Sequence, residues 1–329
     1  MDDERSETEV ENSFCQGEDT TECDGPIDAP GSSGQTRGHN SKLPKSINKV
    51  RLDEVEQIIM SNATVPLHSI TKTHIWQQSK YRFFDNGNSA IRSVISSLRQ
   101  RTARWEFEGF LRYYEDPYNQ PQWEAINKSI DDYYYPRWES VNIIQDLLHL
   151  QFYDLASAID VSVEQYCKDF MQEVYDICEK RKPKVNTLEL IGPASSGKSY
   201  FADMICAFYL NVGHMKNFNR NEAFPMQSCT DRRIILWNEA QAEVSAHDTI
   251  KLILGGDPCP ANIKYQDIQT INRTPVIITA NRQYIPRTAP FNDRMIRYQW
   301  IAAPFLKEKD KKPHPLCYID LLRSYNIID

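Results

Sequence analysis

The feature that most constrains this chain is a short glycine-flanked segment between an apolar run and an amphipathic run. The apolar run 188–191 leads into the letters GPASSGKS at 192–199, and a helix-forming stretch follows from 200 to 210. A strand, a G-x-x-x-x-G-K-S turn and a helix in this order are typical of a phosphate-binding loop. The loop N–H groups point at phosphate oxygens, and the helix N-terminus adds its positive dipole end. The sequence therefore predicts an α/β nucleotide-binding unit at this place.

Two side chains of the loop have specific expected tasks. We expect the Lys198 ammonium to reach the β- and γ-phosphates of ATP and the Ser199 hydroxyl to bind Mg²⁺. An accidental Gly/Ser turn is the alternative, but the flanking strand and helix argue against it. The predicted nucleotide-binding residues are Gly192, Pro193, Ala194, Ser195, Ser196, Gly197, Lys198 and Ser199.

The composition of the chain indicates which class of protein contains this loop. The chain has 329 residues, 40% hydrophobic and 25% charged, which is typical of a folded protein with one large domain or two to three smaller ones. It lacks an apolar run long enough for a membrane span and an apolar N-terminal signal region, so we expect neither membrane insertion nor secretion. Its 8 cysteines contain no C-x-x-C pair, which favours reduced thiols in an intracellular protein.

Residues 1–51 have the composition of a disordered tail. The first 36 residues contain eleven acidic side chains and one basic side chain, with too few apolar groups to offset the entropy of ordering. Residues 37–51 reverse the sign, with five Lys or Arg and no acid. This basic segment is interpreted as a solvated linker, and nuclear import or DNA contact is the alternative.

Residues 52–139 are rich in aromatic side chains, and their fold is less certain from sequence. Helical spacing predicts helices over 52–62 and 88–104. Arginines and lysines lie between the aromatics, which allows base stacking and phosphate contact but equally an ordinary core with snorkelling arginines. We expect an α+β region here, with a degenerate nuclease or DNA-binding domain as one possibility.

A nicking site would need a His-hydrophobic-His metal motif beside a nucleophilic tyrosine, and that motif is missing. No two of the 7 histidines are two positions apart, so the tyrosine run 133–135 has no visible metal partner. We therefore interpret these tyrosines as structural or base-stacking side chains.

Apolar stripes at helical spacing predict a helical bundle over residues 140–183. Its aromatic side chains are expected in the core, and an oligomer contact is a second use for them. The basic run 180–182 followed by Pro183 marks its end.

Two further strands place polar groups where the loop needs them. The apolar run 234–238 ends in Glu239, which is expected to bind Mg²⁺ or polarise the attacking water. The run 274–280 ends in Asn281, whose amide is expected to sense the γ-phosphate and the water. Downstream, Arg294 and Arg297 are candidates for an arginine that acts on a neighbouring subunit's nucleotide, and for Arg297 a surface role is preferred.

The order of these motifs resembles the superfamily 3 helicase domain of parvovirus non-structural replication proteins. The matching letters are GPASSGKS, IILWNEA, LGGD, TPVIITAN and DRM, and they cover about 116 of the 329 residues. The resemblance implies an AAA+-like P-loop NTPase with a central parallel sheet over 184–302, preceded by the bundle and followed by a C-terminal extension over 303–329. It implies catalytic roles for Glu239, Asn281 and Arg294.

The same resemblance implies partners and a mechanism. Relatives form rings, usually hexamers, and unwind DNA 3′ to 5′ with ATP, so we expect single-stranded or forked DNA, further copies of this chain, and a viral or host polymerase as partners. Lys264 matches the first pore lysine of a DNA-contacting hairpin. Asn238 and Gln266 depart from the pattern, since many relatives have an acid and a second lysine there.

The expected function is an ATP-dependent helicase for replication of a viral single-stranded DNA genome in the host nucleus. The chain is short for a complete parvoviral replication protein and lacks the nicking motif. It therefore looks most like relatives that kept the helicase, such as a bidnavirus protein, a densovirus form or a host-captured copy. The alternatives are an initiator with a diverged nuclease and a decayed protein that only binds DNA.

Overall fold

The computed structural model describes residues 50–329, so the acidic and basic tail predicted for 1–51 lies almost wholly outside the described part. Three of the first five helices begin at a side-chain cap: Thr73 caps the second, Asn88 Oδ1 accepts from the Ala90 N–H at 2.9 Å before the third, and Ser129 caps the fifth. These helices are α1 (Leu52–Ser61), α2 (His74–Gln78), α3 (Ser89–Thr102), α4 (Phe107–Glu115) and α5 (Ile130–Tyr133).

The region 52–139 corrects the expectation of an α+β fold. Within it, the described regular elements are helices, including a 3₁₀ helix at Leu67–Lys72, and the Thr64–Trp123 bridge is isolated. Trp76 and Trp123 are 0% and 3% exposed, so these aromatics fill a core. Helices suffice because the apolar side chains recur at helical spacing and pack on the rest of the protein.

The predicted bundle consists of two helices of 22 and 16 residues that pack on each other. Ser162 caps the second of them by accepting the Gln165 N–H. The predicted boundary at 139/140 falls inside the first. The remaining elements are α6 (Arg137–Ala158), α7 (Val163–Cys178), β1 (Thr187–Ile191), α8 (Lys198–Phe208), β2 (Val212–His214), β3 (Ile234–Asn238), α9 (His247–Gly255), β4 (Cys259–Ala261), β5 (Gln269–Ile271), β6 (Val276–Ala280), α10 (Ala289–Asn292), β7 (Met295–Gln299) and α11 (Cys317–Ser324).

Five parallel strands form the central sheet in the order β2-β3-β6-β1-β7. Every residue of β1 and β6 is buried, as parallel strands covered on both faces require. The predicted α/β fold with a central parallel sheet is therefore confirmed. Strands β4 and β5 form a separate antiparallel hairpin whose loop contains Lys264.

One apolar cluster on one face of the sheet joins parts that are far apart in sequence. It runs from Val55 in α1, through α6 and α7, to Tyr325 after α11. A second cluster packs β3, β6, α9 and the base of the hairpin on the other face. The C-terminal extension 303–329 is thus a part of the core through α11. No helix among the described residues has the length and apolarity to cross a membrane.

A buried ion pair also connects the N-terminal helices, the helical bundle and the sheet. The Arg233 guanidinium, just before β3, donates to the backbone carbonyls of Trp105 and Cys178, both at 2.7 Å, and pairs with Glu179 at 2.5 Å. Glu179 also accepts the Phe107 N–H at 3.0 Å. One ion pair therefore holds the start of α4, the end of α7 and the sheet at a single point.

Candidate nucleotide-binding site

The predicted loop 192–199 connects β1 to α8 at the carboxyl edge of the sheet, where ligands of open parallel sheets bind. Gly197 has a φ of +86°, a conformation that favours glycine, and it directly precedes α8. Gly192 is needed for a different reason: a Cβ there would lie 2.5 Å from the Trp300 carbonyl oxygen. The two glycines therefore allow the curled loop and its close approach to the chain beyond β7.

A cavity of about 580 Å³ opens over this loop. Its lining includes loop and helix residues together with Glu239 and Asn281, so the structure brings together the polar ends of β1, β3 and β6 that the sequence predicted. The full lining is Ala194, Ser195, Ser196, Gly197, Lys198, Ser199, Tyr200, Glu239, Asn281, Leu306, Lys307 and Lys309.

Lys198 is buried inside the loop, and four acceptors lie within hydrogen-bond distance of its three N–H donors. Its ammonium lies 2.9 and 3.0 Å from the carbonyl oxygens of Gly192 and Pro193, 3.2 Å from Ser196 Oγ and 3.1 Å from Asn281 Oδ1. Burial lowers the Lys198 pKa, and the nearby Glu239 charge opposes that shift. Among residues 50–329 no carboxylate lies within 4.0 Å of this ammonium, so a polyphosphate would meet a cation that these residues do not neutralise.

Asn281 connects this lysine to the acidic group. Its Nδ2 donates to Glu239 Oε2 at 2.8 Å while its Oδ1 accepts from Lys198. Glu239 is exposed and has a φ of +50°, which turns the chain at the end of β3. The Lys198 ammonium, the Asn281 amide and the Glu239 carboxylate are thus joined by consecutive hydrogen bonds in the lining of the cavity. The carboxylate is the exposed end, where an attacking water would approach.

Asn238, which the sequence analysis noted only as a departure from the pattern, contacts Ser199. Its Oδ1 is 3.5 Å from Ser199 Oγ and accepts from Thr279 Oγ1 at 2.6 Å. The hydroxyl, amide and carboxylate of Ser199, Asn238 and Glu239 are oxygen donors of the kind that Mg²⁺ takes alongside substrate phosphates. The described residues hold no group of three or more His, Cys, Asp or Glu side chains suited to a metal.

The C-terminal segment contributes a wall that sequence reasoning missed. Leu306, Lys307 and Lys309 line the cavity, and the Ala303 N–H donates to the Ser195 carbonyl at 2.8 Å. Gln151 of α6 donates to the carbonyls of Ser196 and Ile301 at 3.2 and 3.0 Å, which fixes this segment against the loop. The lysine-rich composition of 307–312 was the sequence feature that could have indicated this contribution to a phosphate site.

The two candidate arginines have different surroundings. Arg294 lies outside the cavity, against Gly255, with a hydrogen bond to the Pro290 carbonyl, and its action on a neighbouring subunit stays a prediction. Arg297 corrects the expectation of a surface side chain: it is 11% exposed and pairs at 2.5 Å with Glu189, which is 1% exposed. The reason is the parallel pairing of β7 with β1, which sets Arg297 opposite Glu189.

The tyrosine run has the structural role that was predicted for it. Tyr133 donates to Glu124 at 3.2 Å, Tyr135 donates to Asp310 at 2.7 Å, and Tyr134 is 2% exposed. Burial raises the pKa of all three hydroxyls, which disfavours a nucleophilic phenolate. These side chains hold the C-terminal extension onto the fold.

Gly197→Ala is expected to weaken nucleotide binding, and more than Ser195→Gly in the same loop does. An added Cβ would lie 2.7 Å from Leu147 Cδ1, and the positive φ adds strain of about 1–2 kcal/mol. Titration with a fluorescent ATP analogue measures the loss. The matched variant is Ser195→Gly, which relieves a φ of +59° in the same loop. Equal affinities for the two variants would contradict the role of loop curvature.

The sequence of this chain is similar to those of several known viral proteins. Residues 167–299 match the family model described as parvovirus non-structural protein NS1. The chain is 40% identical over 188 residues to initiator protein NS1 of Junonia coenia densovirus, across 56% of this chain and 33% of that protein. It is 35% identical over 206 residues to initiator protein NS1 of Bombyx mori densovirus, across 62% and 23%.

More distant relatives extend the match. Protein Rep52 of adeno-associated virus 2 is 29% identical over 168 residues, across 48% of this chain and 39% of that protein. The chain therefore spans less than half the length of these relatives. A crystal structure of JCV helicase bound to a substituted N-phenylacetamide superposes with a TM-score of 0.50 at 14% identity, across 83% of this chain and 86% of that one, which shows a shared fold. Residues 167–299 are therefore similar to parvovirus non-structural protein NS1, and the chain shares its fold with JCV helicase.

Proposed function

We propose that this chain is an ATP-dependent DNA helicase that acts in replication of a viral single-stranded DNA genome. The observation that carries the proposal is the line of Lys198, Asn281 and Glu239 across the cavity, with hydrogen bonds of 3.1 and 2.8 Å. It joins a cation for the phosphates to a carboxylate for the attacking water. Initiator proteins among the relatives support the replication setting.

The chemistry assigned to the chain's own groups is positioning and charge stabilisation. Lys198 holds the β- and γ-phosphates, Glu239 orients and polarises the water, and Asn281 transmits the state of the γ-phosphate between them. Ser199, Asn238 and Glu239 would hold Mg²⁺, which when bound neutralises charge on the phosphates. Asn238 is a neutral ligand where many relatives have an acid, so Glu239 remains the single carboxylate of the set.

Coupling to DNA is assigned to the β4–β5 hairpin. Its loop exposes Lys264, whose ammonium lies 4.9 Å from the Tyr265 ring centroid, and Tyr265 is 92% exposed. A cation beside a free aromatic face suits the phosphate and base of a single strand. We further propose a homo-oligomeric ring, a hexamer as the resemblance implies, in which Arg294 completes a neighbour's ATP site, and a location in the host nucleus.

The assay that decides the proposal is strand displacement on a forked duplex together with ATP turnover. An active ring opens the fork with ATP and turns over ATP faster when single-stranded DNA is present. Binding of the fork without displacement would instead support a protein that only binds DNA. Sedimentation with ATP and DNA measures the ring, and imaging of the tagged chain in infected cells tests the nuclear location.

Lys264→Ala is expected to reduce DNA-stimulated ATP turnover several-fold and to weaken single-strand binding by roughly tenfold, the value of one charged hydrogen bond. Lys128→Ala is the control, because Lys128 is also exposed but lies in the loop before α5. Fluorescence anisotropy with a labelled oligonucleotide checks the binding. If the two alanine variants bind DNA alike, the hairpin is not the DNA contact.

A further inference from the structure

A group of cationic side chains lies at the amino edge of the sheet, opposite the nucleotide site. Arg99 is in the last turn of α3, and Arg232 stands two residues before β3. Between them Asn211, 1% exposed, donates to the Arg99 carbonyl at 2.8 Å and accepts from Arg232 Nη1 at 3.1 Å. One buried amide therefore fixes both arginine-bearing segments.

The first arginine has an unused donor. Arg99 Nη2 lies 3.3 Å from His68 Nδ1, and because a guanidinium only donates, that imidazole nitrogen accepts. Arg99 Nε is buried and has no hydrogen-bond partner. A buried charged donor without a partner costs free energy, so its retention indicates an acceptor that the chain itself does not supply.

The Arg232 side chain packs against the backbone of Gly213. A Cβ on residue 213 would lie 2.7 Å from Arg232 Cγ, so Gly213 of β2 leaves the space that this side chain crosses. Burial and then the charge of Arg99 lower the Arg232 pKa to about 10. The two guanidinium groups are thus close enough to oppose each other, and Asp231 is the acid that partly offsets them.

Among the described residues, neither arginine has a carboxylate within 4.0 Å, unlike five others that do. Those paired arginines are Arg51, Arg101, Arg137, Arg233 and Arg297. Lys72, which is exposed, adds a further positive charge beside His68. Arg232 donates to the carbonyls of Ser228 and Asn211 at 2.9 and 3.1 Å, so both of its bonds are to neutral acceptors. Two guanidinium groups without a carboxylate, together with an exposed ammonium, match the charge of a phosphate oxyanion.

We propose that Arg99, Arg232 and Lys72 form a second phosphate-binding site, which takes the backbone of single-stranded DNA. This rests on the proposed helicase function. The backbone is favoured over a free anion because Thr274 Oγ1 lies 3.5 Å from the Arg232 carbonyl oxygen, directly where the chain leaves the β4–β5 hairpin for β6. The site therefore adjoins the base of the hairpin to which the DNA contact is assigned, on the edge of the sheet opposite the nucleotide site.

Single-strand affinity measured over a range of salt concentrations tests the site. For the wild type, Arg99→Gln, Arg232→Gln and Lys72→Gln, anisotropy gives log K against log salt. Each variant is expected to bind roughly tenfold more weakly and to lose about 0.7 from the slope, the value of one single-strand phosphate contact. Arg323→Gln is the control, because Arg323 is exposed and bonds only the Asp329 carbonyl.

The outcomes separate this inference from the proposed function. A wild type that binds no single-stranded DNA overturns both. A wild type that binds, with all three variants showing its affinity and slope, overturns the second site alone. Because Lys72 is exposed, Lys72→Gln keeps the test valid if an arginine variant does not fold. If inorganic phosphate raises the Tm of the wild type but not of Arg232→Gln while DNA binding is unchanged, the site takes a free anion and the backbone assignment is wrong.

Discussion

Lys198→Ala is expected to reduce ATP turnover by about a hundredfold or more, the largest functional effect of any single change in this chain. The ammonium is the one cation within the loop and already lies beside the carbonyls of Gly192 and Pro193. Alanine removes the charge that would stabilise the transferring phosphoryl group and breaks the line to Glu239 through Asn281. Phosphate release under saturating ATP and Mg²⁺ measures the loss.

The control for this variant is Lys168→Ala, a lysine of α7 outside the cavity. Asn281→Ala adds a second comparison: it keeps the cation but cuts its link to Glu239, so nucleotide affinity should fall less than turnover. Thermal melting of each variant excludes unfolding as the cause. Equal turnover for Lys198→Ala and the wild type would overturn the assignment of the lysine.

Arg233→Met is expected to lower the free energy of unfolding by about 3–5 kcal/mol, the usual cost of leaving one member of a buried ion pair without its partner. Arg233 and Glu179 are 2% and 7% exposed. The change would leave Glu179 as an uncompensated buried charge and two backbone carbonyls without a donor. Urea denaturation followed by tryptophan fluorescence measures the shift in midpoint.

The double variant Arg233→Met with Glu179→Gln should recover part of this loss, because it removes the uncompensated charge. Arg323→Met is the matched control, since the same change at an exposed site should alter stability by less than about 0.5 kcal/mol. A loss below about 1 kcal/mol for Arg233→Met would show that the ion pair does not hold the helical region to the sheet.

Local pattern was enough to predict two N-terminal helices and the strands that lead to the site. The predicted helices over 52–62 and 88–104 correspond to Leu52–Ser61 and Ser89–Thr102 in the structure. Apolar periodicity and cap residues act over a few positions, so they can be read directly. The convergence of Lys198, Glu239 and Asn281 was also predictable, because the carboxyl ends of parallel strands share one edge.

Contacts between side chains that are far apart in the chain could not be predicted from local sequence pattern. Arg297 was expected at the surface, yet strand pairing buries it beside Glu189, 108 positions earlier. Asn238 contacts Ser199, whereas the Glu239 carboxylate accepts a hydrogen bond from Asn281. Alternation along a strand does not reveal which neighbour each side chain meets.

The sequence by itself determined the loop, its strand and helix, and the polar ends of the next strands, because each depends on residues close together in the chain. The tertiary structure decided the wall formed by Leu306, Lys307 and Lys309 and the burial of Arg233. It also decided the placing of Arg99 beside Arg232. These depend on packing between segments that are far apart in the chain, where the choice of partner follows from the whole core and leaves no local pattern.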